Sequence, residues 1–343
     1  MNTSLRVMFP AIEKDLAKNK LFQAWKSSSI FEALIADPPI LVKEFSQEWV
    51  DNFKKVVGDG PMTSRSLVNL AEYVEKIRNL KGYSKIKERV LRLDDQLHPT
   101  IAEIELIWFL LLKTPPEKMH LEYTFKTTTG KNPELMVECN STPVYFEVTS
   151  VEDYKQMACI LHYYNILTAF QLSLKVLHNI NRKILISLRK YPTESLFQDI
   201  YRTINKEVKI PEFTLKKEEP EFAIEMAEGD DVAFNYPIDY IENKIKDKIE
   251  EKTPKFEKGK RNYIVIDVTS IVADIGVQLE KIRRYFYSTQ NQKIWGVLLQ
   301  SKRWKFEGLE PVYRFQLMCQ ANPLIKGKEP FNTISALLPN GTC

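Results

Sequence analysis

The chain has 343 residues, 44% of them hydrophobic and 27% charged, and a net charge of +4 at pH 7. This balance excludes a disordered or collagen-like chain and allows a sizeable core. The mild basic excess permits a nucleic-acid partner without demanding one, because a dedicated binder clusters its basic residues on one face. Four cysteines, Cys139, Cys159, Cys319 and Cys343, stand far apart with no C-x-x-C pair, so neither a zinc site nor a disulfide framework is indicated. Met1–Pro10 lacks the long apolar stretch of a signal peptide. The most apolar run, Ile104–Leu112, falls well short of the ~20 residues that cross a bilayer. A cytoplasmic protein with no membrane partner is expected.

Residues 1–98 read as a helical N-terminal region. Apolar residues recur at helical spacing in Ala11–Trp25, Leu41–Val57 and Ser66–Ile77, with breaks at Pro38-Pro39 and Gly58–Pro61. From about 99 to 343 the pattern changes to an α/β domain. Thr100 and Glu103 stand at capping-box spacing ahead of a helix over Ile101–Leu112, which Pro115-Pro116 stops. Strands are predicted at His120–Phe125, Glu134–Glu138 and Val144–Val148, with turns at Thr127–Asn132 and Asn140–Pro143. A long helix over Val151–Asn179 follows.

Further on, strands are predicted at Lys183–Leu188, Glu212–Lys216, Glu221–Met226, Tyr263–Val268 and Ile294–Leu299. Helices are predicted at Thr193–Val208, Pro237–Lys255 and Val277–Tyr287. Strands interleaved with helices imply a central mixed sheet flanked by helices. The segments Phe146–Val151 and Ile266–Ile271 resemble each other, each a strand carrying an acid; Asp267 in the second reads as a cap or turn residue.

The most informative stretch is Pro133-Glu134 followed by Glu147-Val148-Thr149. One acid opens a strand and another sits near the end of its hairpin partner, so both carboxylates can reach one end of the sheet. Facing carboxylates repel unless a cation lies between them, and hard oxygen ligands suit magnesium or manganese.

This pattern resembles the PD-(D/E)xK nuclease superfamily, whose core is restriction-endonuclease-like. The matching residues are Pro133-Glu134 and Glu147-Val148-Thr149, with Ala102–Leu106 resembling the helical glutamate motif upstream. The resemblance spans residues 99–152. It implies a restriction-endonuclease-like α/β core and metal-dependent hydrolysis of phosphodiesters, with DNA ahead of RNA as substrate. It also implies Glu134 and Glu147 as ligands of Mg2+ or Mn2+, with Glu103 as the helical acid that completes the metal site.

Two departures stand out. Glutamate replaces the family's aspartate at 134, and Thr149 replaces its lysine. A hydroxyl carries no positive charge, so a lysine from a neighbouring helix would have to substitute. Lys155 is one candidate. Lys248 is another, within the row Lys244, Lys248 and Lys252, although that row reads first as a solvated helix face.

Each acid also has a plainer reading: Glu103 and Glu105 as charges near a helix start, Glu134 as a strand-start charge. Glu147 is the exception, because it stands in an otherwise buried run and a buried carboxylate needs a partner. The histidines His98, His120, His162 and His178 show no ligand spacing, and Thr127–Lys131 lacks the spacing of a phosphate loop. Basic residues mix with aromatics at Arg78–Arg92, Lys281–Tyr287 and Lys302–Phe306, where they could meet phosphates and bases. The missing lysine keeps a second reading open, a catalytically inactive scaffold that binds nucleic acid or protein. The helical region could recognise a partner or form a homodimer under either reading.

Overall fold

A computed structural model describes residues 36–57, 61–94, 96–121, 132–151, 182–190, 193–207, 216–228, 233–235, 238–268, 275–307, 310–326 and 329–338. The sequence-predicted helices at Ala11–Trp25 and Val151–Asn179, except Val151, lie outside these residues.

The N-terminal part is helical: α1 (Pro39–Phe45), α2 (Gln47–Val57), α3 (Pro61–Ile77) and α4 (Tyr83–Leu91). The single helix expected over Leu41–Val57 is broken at Ser46. There the backbone turns to φ 91° and the Oγ accepts from the Trp49 amide at 3.3 Å. Helix α5 runs Leu97–Leu111, four residues earlier than the capping box predicts. Thr100 does not cap it. It lies inside the first turn, with its hydroxyl donating back to the Gln96 carbonyl at 2.6 Å. Pro99 is tolerated there because amides of a first turn have no helical acceptor.

The main sheet has six strands: β1 (Met119–Leu121), β2 (Leu135–Cys139), β3 (Thr142–Ser150), β8 (Arg261–Asp267), β9 (Gly296–Glu307) and β10 (Glu310–Ala321), in the order β1-β2-β3-β8-β9-β10. β1–β2–β3 is an antiparallel meander, β3, β8 and β9 are mutually parallel, and β10 returns antiparallel to β9. A turn at Asn140 and Ser141, both at positive φ, joins β2 to β3. Between β3 and β8 lie α6 (Glu194–Glu207) and a four-stranded sheet of β4 (Arg182–Leu188), β5 (Lys216–Glu218), β6 (Phe222–Glu228) and β7 (Ala233–Asn235), in the order β5-β6-β4-β7. Helix α7 (Ile238–Lys252) runs into a 3-10 turn at Thr253–Lys255. Helix α8 (Ile275–Thr289) links β8 to β9, and α9 (Glu329–Leu337) follows β10.

The protein is thus α/β, with a mixed central sheet flanked by helices. The helical region and the sheet share one hydrophobic core. Leu41, Trp49 and Val74 join Ile104, Leu106, Phe146, Val148, Tyr263 and Leu298 in a continuous buried cluster. Side chains alternate along a strand. Helix α5 therefore covers the sheet face that carries Val144, Phe146 and Val148, and the opposite face carries Glu147 and Thr149. No helix among the described residues is long and apolar enough to cross a membrane.

Candidate active site

Pairing of Leu135 with Phe146 fixes the register of the β2–β3 hairpin. Leu135 shares the α5 face with Phe146, so Glu134 and Glu147, each one residue away, share the other. The Glu134 Oε2 accepts a hydrogen bond from the Val148 amide at 2.6 Å, which pins its carboxylate beside the Glu147 strand. Both acids are buried, Glu147 completely.

Cations reach this pair from the far end of α7. Lys255 Nζ hydrogen-bonds Glu147 Oε1 and lies 3.9 Å from Glu134 Oε1, so it bridges both acids. Lys252 Nζ is 3.4 Å from Glu147 Oε1. Pro254 explains why two lysines three residues apart converge: it ends the α-helix and tightens the next residues into the 3-10 turn that carries Lys255. Cations at a helix C-terminus also complement its dipole.

Burial, and then the neighbouring Glu134 carboxylate, push the Glu147 carboxyl up to about 9 against the opposing pull of Lys255. Its Oε2 is buried and makes no hydrogen bond among the described residues. Two adjacent carboxyls with one oxygen unsatisfied are a setting that a shared proton or a cation relieves. Thr149, buried two residues along the same face, occupies the position where the resemblance has lysine.

The remaining sequence candidates sit elsewhere. Glu103 does not join the pair: it lies on α5, across the sheet, where its Oε2 accepts from Arg89 Nη2 at 2.7 Å. The helix that carries it packs on the Phe146 face, so α5 spacing alone could not bring it round. Its neighbour Glu105 meets Lys302 at 2.7 Å and Gln300 at 2.9 Å. Burial opposes the charge on Lys302, but Glu105 and Asp267 hold its amine above the usual lysine range.

Lys248 Nζ pairs with Glu251 Oε2 at 3.2 Å, and Lys155 lies outside the described residues. Asp267 ends β8 buried, opposite Ser150 and not opposite Glu147, so the two similar segments are out of step. His98 is buried, and desolvation followed by the Lys302 charge lowers it to about 3, so it stays neutral.

Among the described residues no three His, Cys, Asp or Glu side chains gather around one metal position. The three-glutamate centre therefore reduces to two glutamates and two lysines. Lys252 belonged to the row noted in the sequence. Lys255 was missed, although its place just past Pro254 at the end of the predicted helix marked it. No family model, curated protein or solved structure matches the chain.

Proposed function

We propose that the protein is a metal-dependent nuclease of restriction-endonuclease-like architecture, and that Glu134, Glu147, Lys252 and Lys255 form its site. The observation that carries this reading is the buried Glu134–Glu147 pair bridged by Lys255. The donor set fits a hard divalent cation such as Mg2+ or Mn2+: carboxylate oxygens only, one of them unsatisfied and buried. A cation held there would supply charge that acidifies water and stabilises negative charge building on a phosphate.

The chain's own groups do the rest. The Val148 amide orients Glu134, leaving its other oxygen 3.9 Å from Lys255 Nζ. Glu147 in its ionised form completes the acidic pair. Lys255 supplies, from a helix end, the positive charge that Thr149 lacks, and can neutralise an attacked phosphate. Lys252 holds Glu147 from a second side and adds a second cation for the same charge.

The test is incubation of the purified protein with single- and double-stranded DNA and RNA in Mg2+ or Mn2+. Cleavage is expected with DNA. It should fall to background in Glu147→Gln and by roughly 10²-fold or more in Lys255→Ala. Cleavage that survives Glu147→Gln removes this site from the reaction. Nucleic-acid binding with no turnover in any metal would instead support the inactive scaffold.

A further inference from the structure

A groove of about 240 Å3 lies between α7 and α8. Its lining includes the aliphatic side chains Ile249 and Ile282, the half-buried ring of Tyr285, the Lys281–Glu242 ion pair, and the rim cations Lys246 and Arg284, which also face Glu250 at 4.0 Å and Glu280 at 3.6 Å, respectively. On α8 the buried stripe runs Gln278, Ile282, Phe286, at i, i+4 and i+8. Gln278 interrupts that apolar stripe with an amide that is only 3% exposed. Its Oε1 is buried and accepts no hydrogen bond among the described residues. An unsatisfied buried carbonyl is a destabilising feature that an apolar residue at the same place would avoid. A donor arriving with a ligand removes that cost.

The ligand must therefore present a hydrogen-bond donor at depth, a flat apolar body for the aliphatic and aromatic walls, and negative charge at the mouth. A groove of this volume, below the ~300–1,000 Å3 of drug-sized sites, takes one small ring system. We propose that this groove is a nucleobase subsite. Gln278 Oε1 accepts from the N–H edge of the base, Tyr285 packs against its ring, and Lys246 and Arg284 meet the attached phosphate. The inference rests on the nuclease reading for its ligand class. It adds that the base of a nucleotide beside the cleaved bond is drawn out of its stack and held between α7 and α8. The same helix α7 carries Lys252, one turn beyond Ile249, to the Glu147 carboxylate.

The test is calorimetric titration of the full chain, without divalent cation, using each nucleoside 5′-monophosphate and inorganic phosphate as a separate probe. Nucleotides are expected to bind at least tenfold more tightly than phosphate. Gln278→Met, similar in length but with no acceptor of that kind, should weaken nucleotide binding about tenfold. It should also raise the melting temperature of the free protein, which separates a lost contact from a lost fold. Arg284→Ala should weaken nucleotides and phosphate alike. Glu147→Gln should bind nucleotides as the unaltered chain does, so failure of the groove and failure of the cleavage site are read separately. Equal affinity for phosphate and nucleotides, or nucleotide affinity unchanged in Gln278→Met, overturns the proposal.

Discussion

Glu147 has no exposed surface, and its acidity is set by what surrounds it. The carboxyl is raised to about 9, so between the ordinary carboxylate range near 4.5 and pH 9 the folded chain keeps a proton that the unfolded chain releases. Where the folded state binds more protons, stability falls as pH rises. Unfolding free energy, measured by urea titration without divalent cation, should decline steadily with pH above the ordinary carboxylate range. Glu147→Gln, which cannot ionise, should flatten the decline and be the more stable chain at pH 8. An unchanged slope in the variant would mean another group titrates.

At this scale Glu147 was legible, because an acid inside the apolar run Val144–Val148 is costly without a purpose, whereas Glu134 was marked only by its place at the start of the paired strand. The partner cations were legible only in part. Lys252 and Lys255 meet Glu147 from a helix more than 100 residues along the chain, and no local spacing encodes that contact.

Elements were read better in their kind than in their ends. The β2–β3 hairpin and β8 fall within two residues of their predicted bounds, because alternation and turn residues both mark them. The start of α5 was misplaced, because Thr100 and Glu103 have capping spacing while Thr100 bonds backward within the helix. β10 went unread although Tyr313, Phe315, Leu317 and Cys319 alternate along it.

The break between α1 and α2 has a measurable consequence. Ser46 sits at φ 91° and ψ 158°, a region that glycine occupies without strain and other residues do not. Its hydroxyl caps α2, but glycine is nearly as good a cap as serine. Ser46→Gly should therefore stabilise the chain by about 1 kcal/mol, read as a rise in the midpoint of denaturant unfolding. A loss of stability would show that the hydroxyl cap outweighs the relief of strain.

Helices α1–α5 and the Phe146 face of the main sheet share one core that runs from Leu41 in α1 to Leu298 in β9, while buried side chains such as Ile186 and Phe197, and Ile249 and Phe286 on α7 and α8, lie outside that cluster. The sequence divides the helical region from the α/β part at residue 98 on composition and periodicity. Periodicity does not report which apolar faces meet, and here α3 and α4 pack against α5, which in turn covers β3. A shared core should unfold cooperatively. Tryptophan fluorescence, which sums five tryptophans including Trp49 in the helical part and Trp295 beside the sheet, should lose signal at the same denaturant concentration as far-UV circular dichroism. Two separated transitions would mean that the helices and the sheet fold independently.

The same architecture sets the Glu134–Glu147 pair on the sheet face opposite α5, within reach of the end of α7. The most direct measurement of this arrangement is calorimetric titration of Mn2+ into the unaltered chain and into Glu134→Gln and Glu147→Gln. The unaltered chain should give a single-site isotherm whose affinity rises with pH up to about 9, as the shared proton leaves Glu147, and either substitution should abolish it. Mn2+ binding of equal strength in all three chains would contradict a cation held between these two carboxylates.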